Sequence, residues 1–273
     1  MITNLLLAIV ARTMLSNTVR LLLMLPLLCS SRFEGFKRAL IRLRDTCDFN
    51  ATAILDVGAN MGLWSKTIQR EVFPGASMYL IEGNEHHRSL LMSLGYPYAI
   101  SLVGARNGRV VFHKLKESTK SFSGASIYRE TTAEFNGTAK TEQVNATITT
   151  IDELIVSQKW PTEFQLVKMD IQGAEVDAIK GGWRFFAKTQ VLFTEASLME
   201  YNTGSPGMLD LHTLLWRRGF EMYDVIEVIR DKKTGIAFQV DLMWVRRSSS
   251  LWAQSCTGFP IPKRFLQRGS LII

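Results

Sequence analysis

Residues 53–62 read AILDVGANMG: a short apolar run, an acid, and a turn holding two glycines. Ala53–Val57 is too short for a helix and is followed at once by Gly58, so it reads as a buried strand entering a tight turn. Gly62–Val72 continues with helical spacing at Leu63, Ile68 and Val72. The unit is strand, glycine turn, helix. Outward from it the same alternation repeats. Strands are expected at Ser77–Ile81, Tyr98–Val103, Arg109–Leu115, Val144–Thr149, Phe164–Met169 and Val191–Thr194. Helices are expected at His86–Leu94, Ala174–Gly181 and Met208–Arg218, with a short one after the capping pair Thr150 and Glu153. Phe220–Ile229 and Ile236–Val245 read as a closing hairpin, and 116–143 as one long polar loop. Such alternation indicates an α/β, mostly parallel, doubly wound sheet with one antiparallel strand from the hairpin.

In such sheets, ligands bind beyond the carboxyl ends of the strands. Asp56, Glu82, Asp170 and Glu195 all fall at expected strand ends. The turn departs from the dinucleotide fingerprint, because Asn60 stands where the second glycine must let a pyrophosphate approach. No phosphate-loop motif occurs either. Glu82 lies 24 residues after Gly58, where an acid can accept hydrogen bonds from a ribose diol. These residues describe a nucleoside site that lacks the diphosphate.

They resemble S-adenosylmethionine-dependent methyltransferases of the class I, Rossmann-like fold. The segments DVGANMGLWS, YLIEGNE, SGASIY, TTIDEL, LVKMDIQGAEVDAIKGG and VLFTEASLMEYNTG narrow the resemblance to the FkbM family, over about residues 53–225. The resemblance implies a seven-stranded sheet and S-adenosyl-L-methionine as cofactor. It implies that Asp56, Gly58, Asn60 and Gly62 line the methionine and ribose side, and that Glu82 binds the ribose hydroxyls. The loop around Ser126 would approach the cofactor, and Asp170 would face the methionine end or the acceptor. The stretch VGARNG after the third strand offers no acid for the adenine amino group.

Methyl transfer to a hydroxyl needs alignment of the acceptor and a base for its proton. Asp170, Glu195 and His212 are the candidates. Each has a plainer alternative: a helix cap for Asp170, a hydrogen bond to Tyr201–Gly204 for Glu195, a packed or surface ring for His212. No paired spacing of metal ligands supports a metal. The expected acceptor is a hydroxyl on a small molecule, glycan or lipid-linked sugar; the alternatives are N-methylation or a non-catalytic membrane-associated module that kept the fold.

The net charge of +7 is unevenly placed. Residues 1–44 carry +6 and 246–273 carry +5, leaving the body at −4, so a nucleic-acid groove across the fold is not supported. Apolar runs at 5–10 and 21–28, with Arg12 and Arg20 between, suit a targeting or anchoring segment or a packed interfacial helix. Residues 1–44 are therefore set apart from a methyltransferase domain at 45–247 and a basic tail at 248–273. Membrane association through 1–31 and a membrane or secretory location are the corresponding expectations. Cys29, Cys47 and Cys256 are scattered without a CxxC.

Overall fold

The computed structural model describes residues 33–116, 124–131 and 141–260. The apolar stretch 1–31 and the end of the basic tail lie outside the described residues. The chain opens with helix α1 (Glu34–Cys47), then β1 (Ala53–Val57), α2 (Leu63–Glu71) and β2 (Ser77–Glu82). A single 3₁₀ turn at Glu85–His87, capped by Asn84, leads into α3 (Arg88–Ser93). After it come β3 (Tyr98–Ile100), β4 (Leu102–Val103), β5 (Gly108–Leu115), β6 (Arg129–Glu130) and β7 (Thr141–Thr149). The second half holds α4 (Ile151–Ser157), β8 (Leu166–Met169), α5 (Glu175–Gly181), α6 (Trp183–Phe186), β9 (Val191–Ser197) and β10 (Asn202–Thr203). Helix α7 (Met208–Arg217) and the hairpin β11 (Phe220–Arg230) and β12 (Ala237–Arg246) complete the sheet.

The main sheet has seven strands in the order β11-β12-β9-β8-β1-β2-β3. Every neighbouring pair is parallel except the two that involve β12. From β1 the chain moves outward to β2 and β3, then crosses back to β8 on the other side. The carboxyl end of β1 is therefore the switch point where a crevice must open. Strand β1 is covered on both faces: Ile54, Leu55 and Val57 are fully buried, as a parallel strand with helices on either side requires. One face packs on α1, α2 and α3, the other on α4 through α7.

The two ends differ from the domain limits expected at 45 and 247. Helix α1 buries Phe36, Ala39, Leu40 and Leu43 against the sheet, and Phe36 stacks edge-on with Phe193 of β9 at 5.0 Å. A limit at 45 would cut this helix. Beyond Arg246, Leu251 is buried and its carbonyl accepts a hydrogen bond from Tyr223, so the first part of the tail belongs to the core as well.

Three local differences matter for the site. The expected strand Tyr98–Val103 breaks at Ser101, whose N–H bonds the Glu82 carbonyl. Tyr98–Ile100 stays on β2, while Leu102–Val103 turns away to pair with β7 in a second sheet, β4-β7-β5. Within the expected loop 116–143, Ser126 bridges His113 of β5, and β6 pairs with β10. Strand β9 runs on to Ser197 because β12 keeps pairing with it there, with Glu195 opposite Asp241. Glu195 is thus inside the strand, not at its end.

Candidate active site

The glycine turn is wired to β2 through backbone groups. Gly58 and Ala59 both donate to the Ile81 carbonyl, at 2.8 and 3.0 Å. The Asn60 N–H donates to one Glu82 carboxylate oxygen at 2.7 Å, and the Asn84 N–H to the other at 2.7 Å. Gly58 has φ +80°, and a Cβ there would lie 1.9 Å from the Asp170 carbonyl oxygen. No other residue fits at this contact. Asn60 itself takes φ +52°, a left-handed position that asparagine tolerates. Burial pushes the Glu82 carboxyl above its usual range, and the two backbone N–H groups oppose that rise. Each of its oxygens accepts one of these bonds, and Glu82 lines the cleft.

The cleft opens at this turn. One end is bounded by Asp170, Ile171 and Gln172 after β8, with Lys168 and Trp64 behind. Glu82 and Gly83 form its middle. The far end is an apolar wall of Leu102, Val103, Phe112 and Ile127, where β4 and β5 have left the main sheet. Gly58, Asn60, Glu82, Ser126 and Asp170 all line it. Gly62 only starts α2, with φ +69° and no space for a side chain next to Leu94.

Asp56 does not line the cleft. Side chains alternate across a strand, and that of Asp56 turns beneath the turn, fully buried, to accept from Ser65 Oγ at 2.7 Å. Lys168, its lateral neighbour on β8, reaches it at 3.5 Å and reaches Asp170 at 3.3 Å. Burial opposes the charge on this ammonium, but the carboxylates of Asp170 and Asp56 hold it on, so Lys168 stays protonated. Burial pushes the Asp56 carboxyl up, and Lys168 and Ser65 restrain it. Asp56 supports the site from beneath the turn.

Asp170 is the acid of this group that meets solvent, with its side chain 41% exposed. Surrounding protein would raise its pKa. Lys168, together with hydrogen bonds from Gln172 and Glu195, outweighs that and holds the carboxyl below its usual range. Gln172 spans the two acids, with its amide nitrogen 3.1 Å from Asp170 Oδ1 and 2.7 Å from Glu195 Oε2. Its φ of +55° is uncommon for a residue with a side chain, and its carbonyl is pinned by Ser126 Oγ at 2.7 Å and Asn202 Nδ2 at 3.0 Å. Glu195 lies behind Gln172, takes a 2.7 Å hydrogen bond from Tyr201, and is raised well above its usual range by burial and by the charges of Asp170 and Glu175. Glu175 accepts from the Ile171 N–H at 2.8 Å and is pushed up to about 7, chiefly by burial.

The structure therefore separates the three expected base candidates. Asp170 faces the cleft, but a carboxylate held this low is a weak base and a good hydrogen-bond acceptor. Glu195 is a buried acid, its carboxyl pushed well up by burial, and it is bonded to Tyr201 as its plainer alternative required. His212 is elsewhere: its ring lies over Trp216 and against Trp244, and it lines a separate hollow with Ser197, Met199 and Met208. The two side chains that hold Asp170, Lys168 and Gln172, were not foreseen. Both sit within KMDIQGAE, and Lys168 carried a signal of its own, a charge in the middle of an expected buried strand.

Among the described residues no helix is long and apolar enough to cross a membrane. The model of the Methyltransferase FkbM domain matches residues 56–222, more than half of the chain. No curated protein sequence matches it. Among solved structures, methyltransferase FkbM from Methylobacillus flagellatus is 16% identical with a TM-score of 0.45, covering 71% of this chain and 43% of that one. Magnesium protoporphyrin IX methyltransferase from Synechocystis, solved with bound SAM, is 11% identical with a TM-score of 0.41, covering 78% and 80%. The 1,6-didemethyltoxoflavin N1-methyltransferase of Burkholderia thailandensis, with bound S-adenosylhomocysteine, is 10% identical with a TM-score of 0.41, covering 79% and 80%. With its glycine turn, Glu82 and the KMDIQGAE segment all inside the matched region, the chain belongs to the FkbM family of methyltransferases.

Proposed function

We propose that the cleft binds S-adenosylmethionine and that the protein transfers its methyl group to a hydroxyl of a small molecule, glycan or lipid-linked sugar. The observation that supports this most is the order of chemistry along the cleft. A charged, hydrogen-bonding end at Asp170 suits the acceptor hydroxyl beside the methyl group, the Glu82 carboxylate suits a ribose diol, and the wall of Leu102, Val103 and Phe112 suits a flat base. That wall gives adenine packing without the acid missing from VGARNG. The cofactor, when bound, supplies an electrophilic methyl.

The residues' own part is to hold and align. Glu82 accepts from hydroxyls on lone pairs not engaged by Asn60 and Asn84. Lys168 keeps Asp170 ionised, and Gln172 fixes where its carboxylate points. Asp170 then accepts a hydrogen bond from the acceptor hydroxyl and orients its oxygen, which places the lone pair in line for displacement. The proton is lost late, to water or through this hydrogen bond, because Asp170 is too weak a base for early removal.

A methyl-labelled cofactor offered to hydroxyl-bearing and amine-bearing acceptors tests the reading. Label recovered as methoxy groups supports it. Label on nitrogen alone replaces it with N-methylation. The proposed targeting role of 1–31 is tested separately: a fused reporter should go to membranes or the secretory route, and an evenly cytosolic reporter overturns that role.

A further inference from the structure

The C-terminal end of helix α1 and the tail after β12 meet at a place remote from the cleft. Cys47 is the last residue of α1, and Cys256 lies on the single helical turn Gln254–Thr257 near the end of the described tail. Both sulfurs converge on Thr46. Cys47 Sγ is 3.4 Å from Thr46 Oγ1, and Cys256 Sγ is 4.0 Å from the Thr46 carbonyl oxygen. Both are free thiols, and both are half-buried. They share a second neighbour as well, Tyr223, whose hydroxyl is pushed up to about 12 by burial and by the charge of these two cysteines. Residues 209 apart in sequence have no local reason to share one spot.

We propose that Cys47 and Cys256 form a disulfide under oxidising conditions, a bond that clamps helix α1 to the C-terminal tail. Burial, with the Cys47 side chain beside it, pushes the Cys256 thiol up to about 11. Cys256 is therefore a thiol at neutral pH and a poor first nucleophile. Cys47 attacks first, as its thiolate, on the disulfide of an oxidant such as glutathione disulfide. It forms a mixed disulfide and releases one glutathione thiolate. Cys256 then gives up its proton and displaces the second glutathione. Two protein thiols lose two electrons, and the glutathione disulfide gains them as two glutathione thiols.

The consequence is mechanical. Helix α1 supports the sheet through Phe36, Leu40 and Leu43, and Phe33 at its other end borders the cleft. A bond at Cys47 fixes the far end of that helix and closes nearly the whole domain in one covalent loop. Closing so long a loop removes much of the freedom of the unfolded chain. The bond belongs to an oxidising compartment and stays open in a reducing one.

The full chain, equilibrated with mixtures of glutathione and its disulfide, tests this. Its mass should fall by the two hydrogens lost, and a non-reduced tryptic digest should join residues 45–66 to residues 248–263. Cys29 lies on a third peptide, 21–32, so any pairing through it is told apart. The oxidised chain should melt roughly 5–10 °C above the reduced one. Cys47→Ser and Cys256→Ser should each abolish the bond and the shift, while Cys29→Ser should leave both. A bond through Cys29, or no bond in excess glutathione disulfide under native conditions, overturns the proposal.

Discussion

The two halves of the cleft hold their acids in different ways. On the β2 side, Glu82 takes backbone N–H groups from Asn60 and Asn84, whose positions follow from the course of the chain. On the β8 side, Asp170 depends on side chains: Lys168 from one direction and Gln172 from another, with Glu195 behind. A backbone-held acid is fixed and changes little when a neighbour is substituted. A side-chain-held acid is tunable, and its charge state belongs to the whole cluster. The first arrangement suits a group that all substrates share, and the second suits the end where acceptors differ.

The contrast can be broken most forcefully at Lys168. It is the cation shared by Asp56 and Asp170, so Lys168→Met leaves the buried Asp56 carboxyl unpaired beside Asp170. The expected loss is about 3–5 kcal/mol of stability at pH 8, read as a lower denaturant midpoint, and less at pH 5, where the carboxyls take up protons. A loss below about 1 kcal/mol at both pH values would mean the cluster is not held by that charge.

Glu82→Gln acts on the backbone-held half. Glutamine presents one acceptor oxygen, so the Asn60 and Asn84 N–H groups cannot both be served along with a ligand. Affinity for S-adenosylhomocysteine should fall by about 1.5–3 kcal/mol, while the melting temperature changes less. Unchanged affinity would remove Glu82 from the cofactor site.

The tunable half should show in the pH dependence of stability. Glu175 has a folded pKa of about 7, above its unfolded value, so the folded state binds the extra proton. Stability from this group is present at low pH and lost as pH rises from about 4.5 to 7. Between pH 5 and pH 8 the wild type should lose on the order of 2 kcal/mol more than Glu175→Gln, by chemical denaturation at each pH. Equal slopes would place the titration elsewhere. Asp170→Asn should lower turnover about tenfold or more while cofactor affinity stays within a few-fold, because it keeps the size but not the charge that orients the hydroxyl. The smallest effect is expected at His212→Ala: activity within about twofold, measured as kcat/KM. A larger drop would bring the second hollow into the reaction.

Legibility followed the same division. Strand β1, the glycine turn, the sheet class and the position of Glu82 were readable, because parallel strands covered on both faces are apolar runs and turns need glycine. The break at Ser101 was not, since Tyr98–Val103 is one unbroken pattern and only tertiary pairing with β7 divides it. The end of β9 was misread for a related reason. Thr194, Glu195 and Ser197 look polar enough to end a strand, yet all are buried, and pairing with β12 extends the strand through them. Asp56 stood at a strand end as expected, but which face it takes depends on the pleat and on Lys168 opposite. His212 was drawn to the site by following the loop of Tyr201 and Asn202, but its ring packs against Trp216 and Trp244 beside a separate hollow.

The central claim is that this cleft accepts a nucleoside without a pyrophosphate, because Glu82 occupies the Asn60 N–H that a phosphate would need. Calorimetric titration of the full chain with S-adenosylhomocysteine and with NAD tests it directly. Saturable binding of S-adenosylhomocysteine, weakened in Glu82→Gln, is expected, with no measurable binding of NAD under the same conditions. NAD binding of comparable affinity would contradict it.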